Sequence, residues 1–145
     1  MKYKFYNADQ SNVWAKRNLY PGILLPKDLY DALSEIWCEY TCAPRMRKDW
    51  SKDNKTLGQC SITAFLVQDI FGGEVYGVLL EDGAYHCYNV VDDHIFDLTS
   101  EQFGDKVLEY NKENPQDRWE HFKSKEKYER YLYLGQELIK WCLNH

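Results

Sequence analysis

The amino-acid sequence predicts an α+β domain in which an antiparallel three-stranded meander packs against a central helix and flanking helices. Three observations carry this. Apolar residues recur at helical spacing in two segments before Gly72. The period then switches to two across three short segments between residues 74 and 99, separated by turn residues. A helical stripe returns after Ser124. The order helix, helix, three strands, helix is that of helices covering one antiparallel sheet. The 145 residues read as a single domain, 1–145, with no internal repeat or low-complexity tract.

The first twenty-five residues are mixed and aromatic, ending in "YPGILLP". Pro26 suits a first helical position and Asp28 a first turn. Leu29, Leu33, Ile36, Trp37 and Tyr40 then follow helical spacing, which predicts a helix over 27–41, stopped before Pro44. Residues 43–58 read as a polar loop carrying Trp50. The second helix runs from Cys60 to about Phe71 and is apolar on two sides, so it is predicted to be central and covered on both. Gly72 and Gly73 supply its stop.

Strands are predicted over 74–80, 84–91 and 94–99, with "EDG" and "DD" as turns. Thr99 and Gln102 have capping-box spacing for a short helix ending at Gly104. Residues 105–123 read as a polar surface segment. Ser124 caps a final helix, 125–143, with the stripe Tyr128, Tyr131, Leu132, Leu138, Ile139 and Cys142.

Composition narrows the function classes. The net charge of −5 opposes binding to phosphate backbones, so no nucleic-acid partner is expected. The short basic run Arg45–Lys48 reads as a solvated loop. No stretch approaches the ~18 apolar residues of a membrane span. The N-terminal "MKYKFYNADQ" shows neither a leader's apolar core nor a cleavage pattern. With five cysteines, this predicts a cytoplasmic protein with free thiols.

Cys60 stands where loop becomes helix. A helix N-terminus presents unpaired N–H groups and positive potential, so a thiol there ionises more readily. The same amides suit a developing oxyanion. Gly58, just before it, allows close approach of a substrate backbone. Burial as a small apolar side chain is the other common use of a free cysteine.

Of the four histidines, His121 and His145 have no evident positioning device in the sequence. A two-residue turn at Asp92 and Asp93 pairs Val91 with His94, and alternation then brings His86, Tyr88, Val90, Ile95, Asp97 and Thr99 to one face. His86 and Asp97 become diagonal neighbours, ~7 Å apart at the backbone. A carboxylate there fixes the imidazole tautomer and stabilises the imidazolium. A loop of three residues would separate them. Cys60, His86 and Asp97 thus form a candidate catalytic set. His86 as a satisfied sheet histidine and Asp97 as a turn support are the structural alternatives.

The stretch "W…GQCSITAFLVQDIFGGEV…YHCYNVVDDHIFDLTSEQF" resembles the YunG-like family of small, uncharacterised bacterial proteins. The matching residues are Gly58, Gln59, Cys60, Thr63, Ala64, Gln68, Asp69, Phe71 to Glu74, His86, Asn89, Asp97, Leu98, Thr99, Gln102 and Phe103, about the middle third of the chain. At a coarser level the order Cys, His, Asp resembles papain-like and transglutaminase-like thiol enzymes, which implies a core of that type. In papain-like enzymes a glutamine several residues before the cysteine supports the oxyanion. Here Gln59 is adjacent to the cysteine, and Gln59 or Asn54 is left for that role.

The reading is a cysteine-dependent hydrolase or acyl transferase acting on an amide or peptide bond of a peptide or small amide. Tyr88 leans over the site, and Trp50 with Gly58 lines a substrate groove. A non-catalytic peptide- or protein-binding module of enzyme-like fold is the alternative. Cys38 and Cys42 have half a metal site's spacing, but no second pair matches, so neither a metal nor a cofactor is expected.

Overall fold

The computed structural model describes residues 4–145. The first three residues, the start of the stretch read as lacking a leader, lie outside the described residues. The elements are α1 (Pro26–Ile36), α2 (Cys60–Phe71), β1 (Glu74–Leu79), β2 (Tyr85–Val91), β3 (His94–Phe96), α3 (Arg118–His121) and α4 (Lys125–Leu143), with 3-10 turns at Ala8–Gln10, Pro44–Asp49 and Ser100–Phe103. The result is an α+β arrangement of helices around a small antiparallel sheet ordered β1-β2-β3.

Local chemistry explains where α1 begins and ends. Pro26 opens it, and the Asp28 carboxylate accepts from the Leu25 and Leu24 amides at 2.9 and 3.1 Å. It closes at Ile36, five residues before the predicted end at residue 41. Trp37 leaves helical geometry at φ −49 and ψ 133, burying its ring and donating from Nε1 to Thr63 Oγ1 at 3.1 Å. The next turn is closed by Thr41 Oγ1, which accepts from the Cys38 amide at 2.9 Å. Tyr40, counted in the predicted stripe, is left exposed. Tertiary packing of one tryptophan therefore overrides the helical period.

Helix α2 is buried on two sides. Ile62, Leu66, Val67 and Ile70 meet α1 and α4 residues such as Leu29, Leu33, Leu134 and Leu138, while Ala64 and Phe65 meet Val75 and Cys87 of the sheet. Each such buried side chain contributes about 1.5–3 kcal/mol relative to exposure. The chain leaves α2 through Gly72 and Gly73, both at positive φ. A Cβ on Gly73 would stand 2.2 Å from the Val90 carbonyl oxygen, so the glycine lets β1 begin against β2.

The register pairs Val91 with His94, Val90 with Ile95 and Asn89 with Phe96. Asp92 and Asp93 take positive φ of 49° and 67° at the connecting turn, as a twist-matched two-residue hairpin requires. Strand β3 is shorter than its predicted span of 94–99. After Phe96 the chain pairs with the N-terminal segment through a Tyr6–Asp97 bridge, and the Asp97 carboxylate turns back on the Thr99 amide at 3.1 Å.

Two segments read as loops have more structure than expected. In Pro44–Asp49 the Arg47 guanidinium donates to the carbonyls of Glu39, Tyr40 and Cys42 at 3.0, 3.1 and 3.2 Å, fastening the basic run to the chain after α1. In 105–123, Pro115 bridges Tyr76 and the Gln116 amide donates to the Val75 carbonyl at 2.9 Å, which covers the outer edge of β1. The same segment then forms α3.

Candidate functional site

Cys60 is the first residue of α2, half-buried, and follows Gln59, whose side chain makes no cap bond to the helix. First-turn amides have no carbonyl partner inside a helix, so this end keeps its donor character and positive potential beside the sulfur. The conformation that precedes it is set by Gly58, at φ 69°, where a Cβ would lie 2.6 Å from Cys42 Sγ and 3.0 Å from the Ala43 amide nitrogen. Packing against Cys42 and backbone geometry thus both demand glycine here, in addition to its place in the cleft wall.

His86 and Asp97 are joined at 2.6 Å, Nε2 to Oδ2, with each side chain 1% exposed. The carboxylate is saturated by its surroundings. Tyr110 Oη donates to Oδ2 at 2.7 Å, while the Thr99 amide and hydroxyl donate to Oδ1 at 3.1 and 3.2 Å. Phe103 packs edge-on against the imidazole at 4.8 Å between centroids. Asp97 holds Nε2, which leaves the other ring nitrogen, Nδ1, for proton exchange with the thiol.

Electrostatics follow from this enclosure. Burial alone would lower the His86 pKa, but the negative charges of Asp97 and Cys60 outweigh it and push it up to about 10. The Cys60 thiol is held well below the ordinary thiol range, first by a hydrogen bond from Cys87 and then, against the cost of burial, by the charge and hydrogen bond of His86. Cys87 is correspondingly pushed up by sharing that bond with Cys60 and by burial. Both shifts favour the charged form of the pair, a Cys60 thiolate beside a His86 imidazolium.

A cleft of about 750 Å³ opens over this pair. One wall is Pro44–Met46 and Gly58; a second is the β1–β2 hairpin at Leu80, Ala84 and Tyr85; the third comes from α3 and the start of α4. Arg45 and Asp82 join the first wall to the hairpin tip at 3.2 Å.

The structure brings Cys60, His86 and Asp97 together and places Gly58 in the cleft wall. Gln59 is fully buried and turned away, its Nε2 donating to the Cys38 carbonyl at 3.2 Å. Asn54 closes the turn after Ser51 and does not line the cleft. Trp50 is outside the cleft as well, its Nε1 donating to the Lys55 carbonyl at 2.9 Å. Tyr88 does not lean over the cleft; it is buried, accepts from the Lys112 amide at 2.9 Å and packs edge-on to Tyr110. Its contribution to the site is therefore to back the tyrosine that holds Asp97.

Three residues at the site went unnoticed in the sequence, Tyr110, Gln116 and Lys127, and His121 has no positioning device evident there. His121 Nε2 donates to Gln116 Oε1 at 2.8 Å, and Lys127 Nζ donates to His121 Nδ1 at 2.8 Å. The positioning device is α3. Asp117 caps it by accepting from the Trp119 amide at 2.9 Å, and Arg118 ties it to α2 through Asp69 at 2.7 Å. The aspartate cap was a readable signal for a helix start; nothing local marked Tyr110.

A helix-borne thiol beside a buried imidazole–carboxylate pair, on a helix-covered antiparallel sheet, defines a class of α+β protein with a candidate thiol centre. The sequence model of the family described as YunG protein matches residues 25–142, and the chain belongs to that family. An uncharacterised YunG protein of Bacillus subtilis (strain 168) is 34% identical over 71 residues, which is 49% of this chain and 56% of that protein. The chain thus spans little over half the length of that relative. No solved structure matches. No helix among the described residues is long and apolar enough to cross a membrane.

Proposed function

We propose that the cleft carries out thiol-dependent acyl chemistry on an amide or peptide bond, as a hydrolase or acyl transferase. The Cys60 thiolate attacks the carbonyl carbon, forming a C–S bond while the carbonyl oxygen takes the negative charge. First-turn amides of α2, that of Cys60 foremost, donate to this oxyanion. Collapse breaks the C–N bond, and His86 gives its proton to the leaving amine. Neutral His86 then takes a proton from water or an acceptor amine, which attacks the acyl carbon and breaks the C–S bond, returning the thiolate and imidazolium. Asp97 orients His86 and stabilises its charged form throughout. The chain order Cys, His, Asp parallels papain-like and transglutaminase-like enzymes, and that analogy is part of the proposal.

The observation that carries the reading is the buried 2.6 Å contact of His86 with Asp97 beside a half-buried sulfur at an uncapped helix start. Iodoacetamide alkylation followed by peptide mass spectrometry tests it. Cys60 is expected to react faster than Cys38 and Cys142 at neutral pH, and His86→Ala is expected to remove that advantage. Equal reactivity of the three cysteines in the native protein would overturn the reading and leave a peptide- or protein-binding module as the role of the cleft.

A further inference from the structure

We propose that the substrate is anionic, with a carboxylate next to the carbonyl attacked by Cys60, and that Lys127 is the residue that binds this carboxylate. The inference rests on the thiol reading above and supplies its substrate class.

The charged groups lining the cleft are almost all matched. Arg45 is paired with Asp82 at 3.2 Å, Glu120 with Lys123 at 2.9 Å, and Glu126 with Arg130 at 2.7 Å. Lys127 differs. Among the described residues no ion pair forms to it, and its hydrogen-bond partner is the ring nitrogen Nδ1 of His121. Burial and the lysine itself lower the His121 pKa, so the ring is neutral and accepts, with its Nε2–H committed to Gln116. An ammonium has three donors, and this contact uses one.

The ammonium lines the same cleft as the sulfur and is held there by His121. The His121 ring packs edge-on to Phe65 at 5.0 Å between centroids, and Phe65 belongs to the apolar cluster that includes Cys87 and touches Cys60. Burial lowers the Lys127 pKa, while negative charge on the Cys60–Cys87 thiol pair opposes that fall. A partly desolvated cation with free donors, one contact to a neutral ring and no ion pair of its own is suited to a ligand carboxylate. Glu120 and Glu126 on the same side disfavour a more highly charged anion.

Charge-selective alkylation tests this with defined probes. Iodoacetate and iodoacetamide attack the same thiolate and differ in a carboxylate against a neutral amide. The iodoacetate-to-iodoacetamide rate ratio at Cys60 is expected to be about tenfold higher in the folded protein than in the same chain unfolded in urea. Lys127→Gln is expected to abolish the excess and Lys127→Arg to keep it. A folded ratio equal to the unfolded one overturns the proposal without need of any variant. So does a Lys127→Gln protein that keeps the excess, or one that slows both reagents equally, since the lysine would then act on the thiolate alone. Failure of the thiol reading is distinguishable: it appears in the iodoacetamide rate of Cys60 against Cys38, and the ratio is independent of that rate.

Discussion

His86 Nε2 and Asp97 Oδ2 meet at 2.6 Å in a fully enclosed pair, and the carboxylate accepts three further hydrogen bonds from Thr99 and Tyr110. Every partner of Asp97 donates, so the site is built for a charged acceptor. Asp97→Asn preserves shape but puts an amide where the imidazolium needs a carboxylate. Alkylation of Cys60 by iodoacetamide at pH 7 is expected to slow about 10–100-fold. Asp97→Ala strands a buried imidazole and three donors, and urea unfolding is expected to show a loss of about 3–5 kcal/mol.

Tyr110→Phe removes one charge-assisted bond to Asp97 and leaves the ring stack on Tyr6, at 4.1 Å between centroids, in place. Burial and Asp97 both push the Tyr110 phenol above its ordinary range, so it is a donor at every pH of interest. The substitution is expected to cost about 1.5–3 kcal/mol by equilibrium unfolding. A neutral result would mean the hydroxyl does not bear on the carboxylate.

The pH dependence of stability separates the two halves of the site. His86 is raised from 6.5 to about 10 on folding, so its stabilisation is complete below pH 6.5 and fades as pH climbs to about 10. Cys60 is lowered, so its stabilisation is present above its unfolded pKa and fades as pH falls through the folded one. Between 6.5 and the unfolded thiol pKa the folded state gains one proton at His86 and loses one at Cys60. The native protein is therefore expected to show little slope from this pair in that window. Cys60→Ala leaves only the part of the His86 shift that Asp97 supplies, and if that part outweighs burial its stability is expected to fall with rising pH across the same window, measured by urea midpoints at pH 6, 7 and 8. A flat Cys60→Ala profile would mean that the Cys60 charge, rather than Asp97, holds the proton on His86.

Gly58→Ala tests the turn that presents the sulfur. The new Cβ meets Cys42 Sγ at 2.6 Å and the Ala43 amide at 3.0 Å, and φ is 69°. The positive φ costs about 1–2 kcal/mol and the overpacking about 1–3 kcal/mol. Gly58→Ala with Cys42→Ala relieves only the sulfur contact. Thermal unfolding is expected to show partial recovery in the double variant, the remainder belonging to backbone geometry.

The local parts of this fold were legible. Helix α2 and its glycine stop, the hairpin register and the Ser124 cap of α4 each rest on chemistry within a few residues: periodicity, two positive-φ aspartates, and a serine accepting from the Lys127 amide at 3.2 Å. The closeness of His86 and Asp97 was legible for the same reason, since one turn length sets which side chains share a face. Less legible was the end of α1, where Trp37 leaves the helix for Thr63, distant in sequence.

By itself the sequence determined the class of fold, the thiol at a helix start, and the pairing of an imidazole with a carboxylate across one short turn. Tertiary structure alone decided what surrounds them. Tyr110 reaches Asp97, and α3 carries His121 to Lys127, because a polar segment without apolar period is anchored by Arg118 to Asp69 and by its backbone to the edge of β1. Tertiary structure likewise turned Gln59, Asn54 and Trp50 away from the cleft: the Cys38 carbonyl takes the Gln59 amide N–H, the Ser51 turn takes Asn54, and the Lys55 carbonyl takes the Trp50 indole N–H. Periodicity reports which face of an element is buried; it carries no information about which distant donor or acceptor will complete a buried polar group.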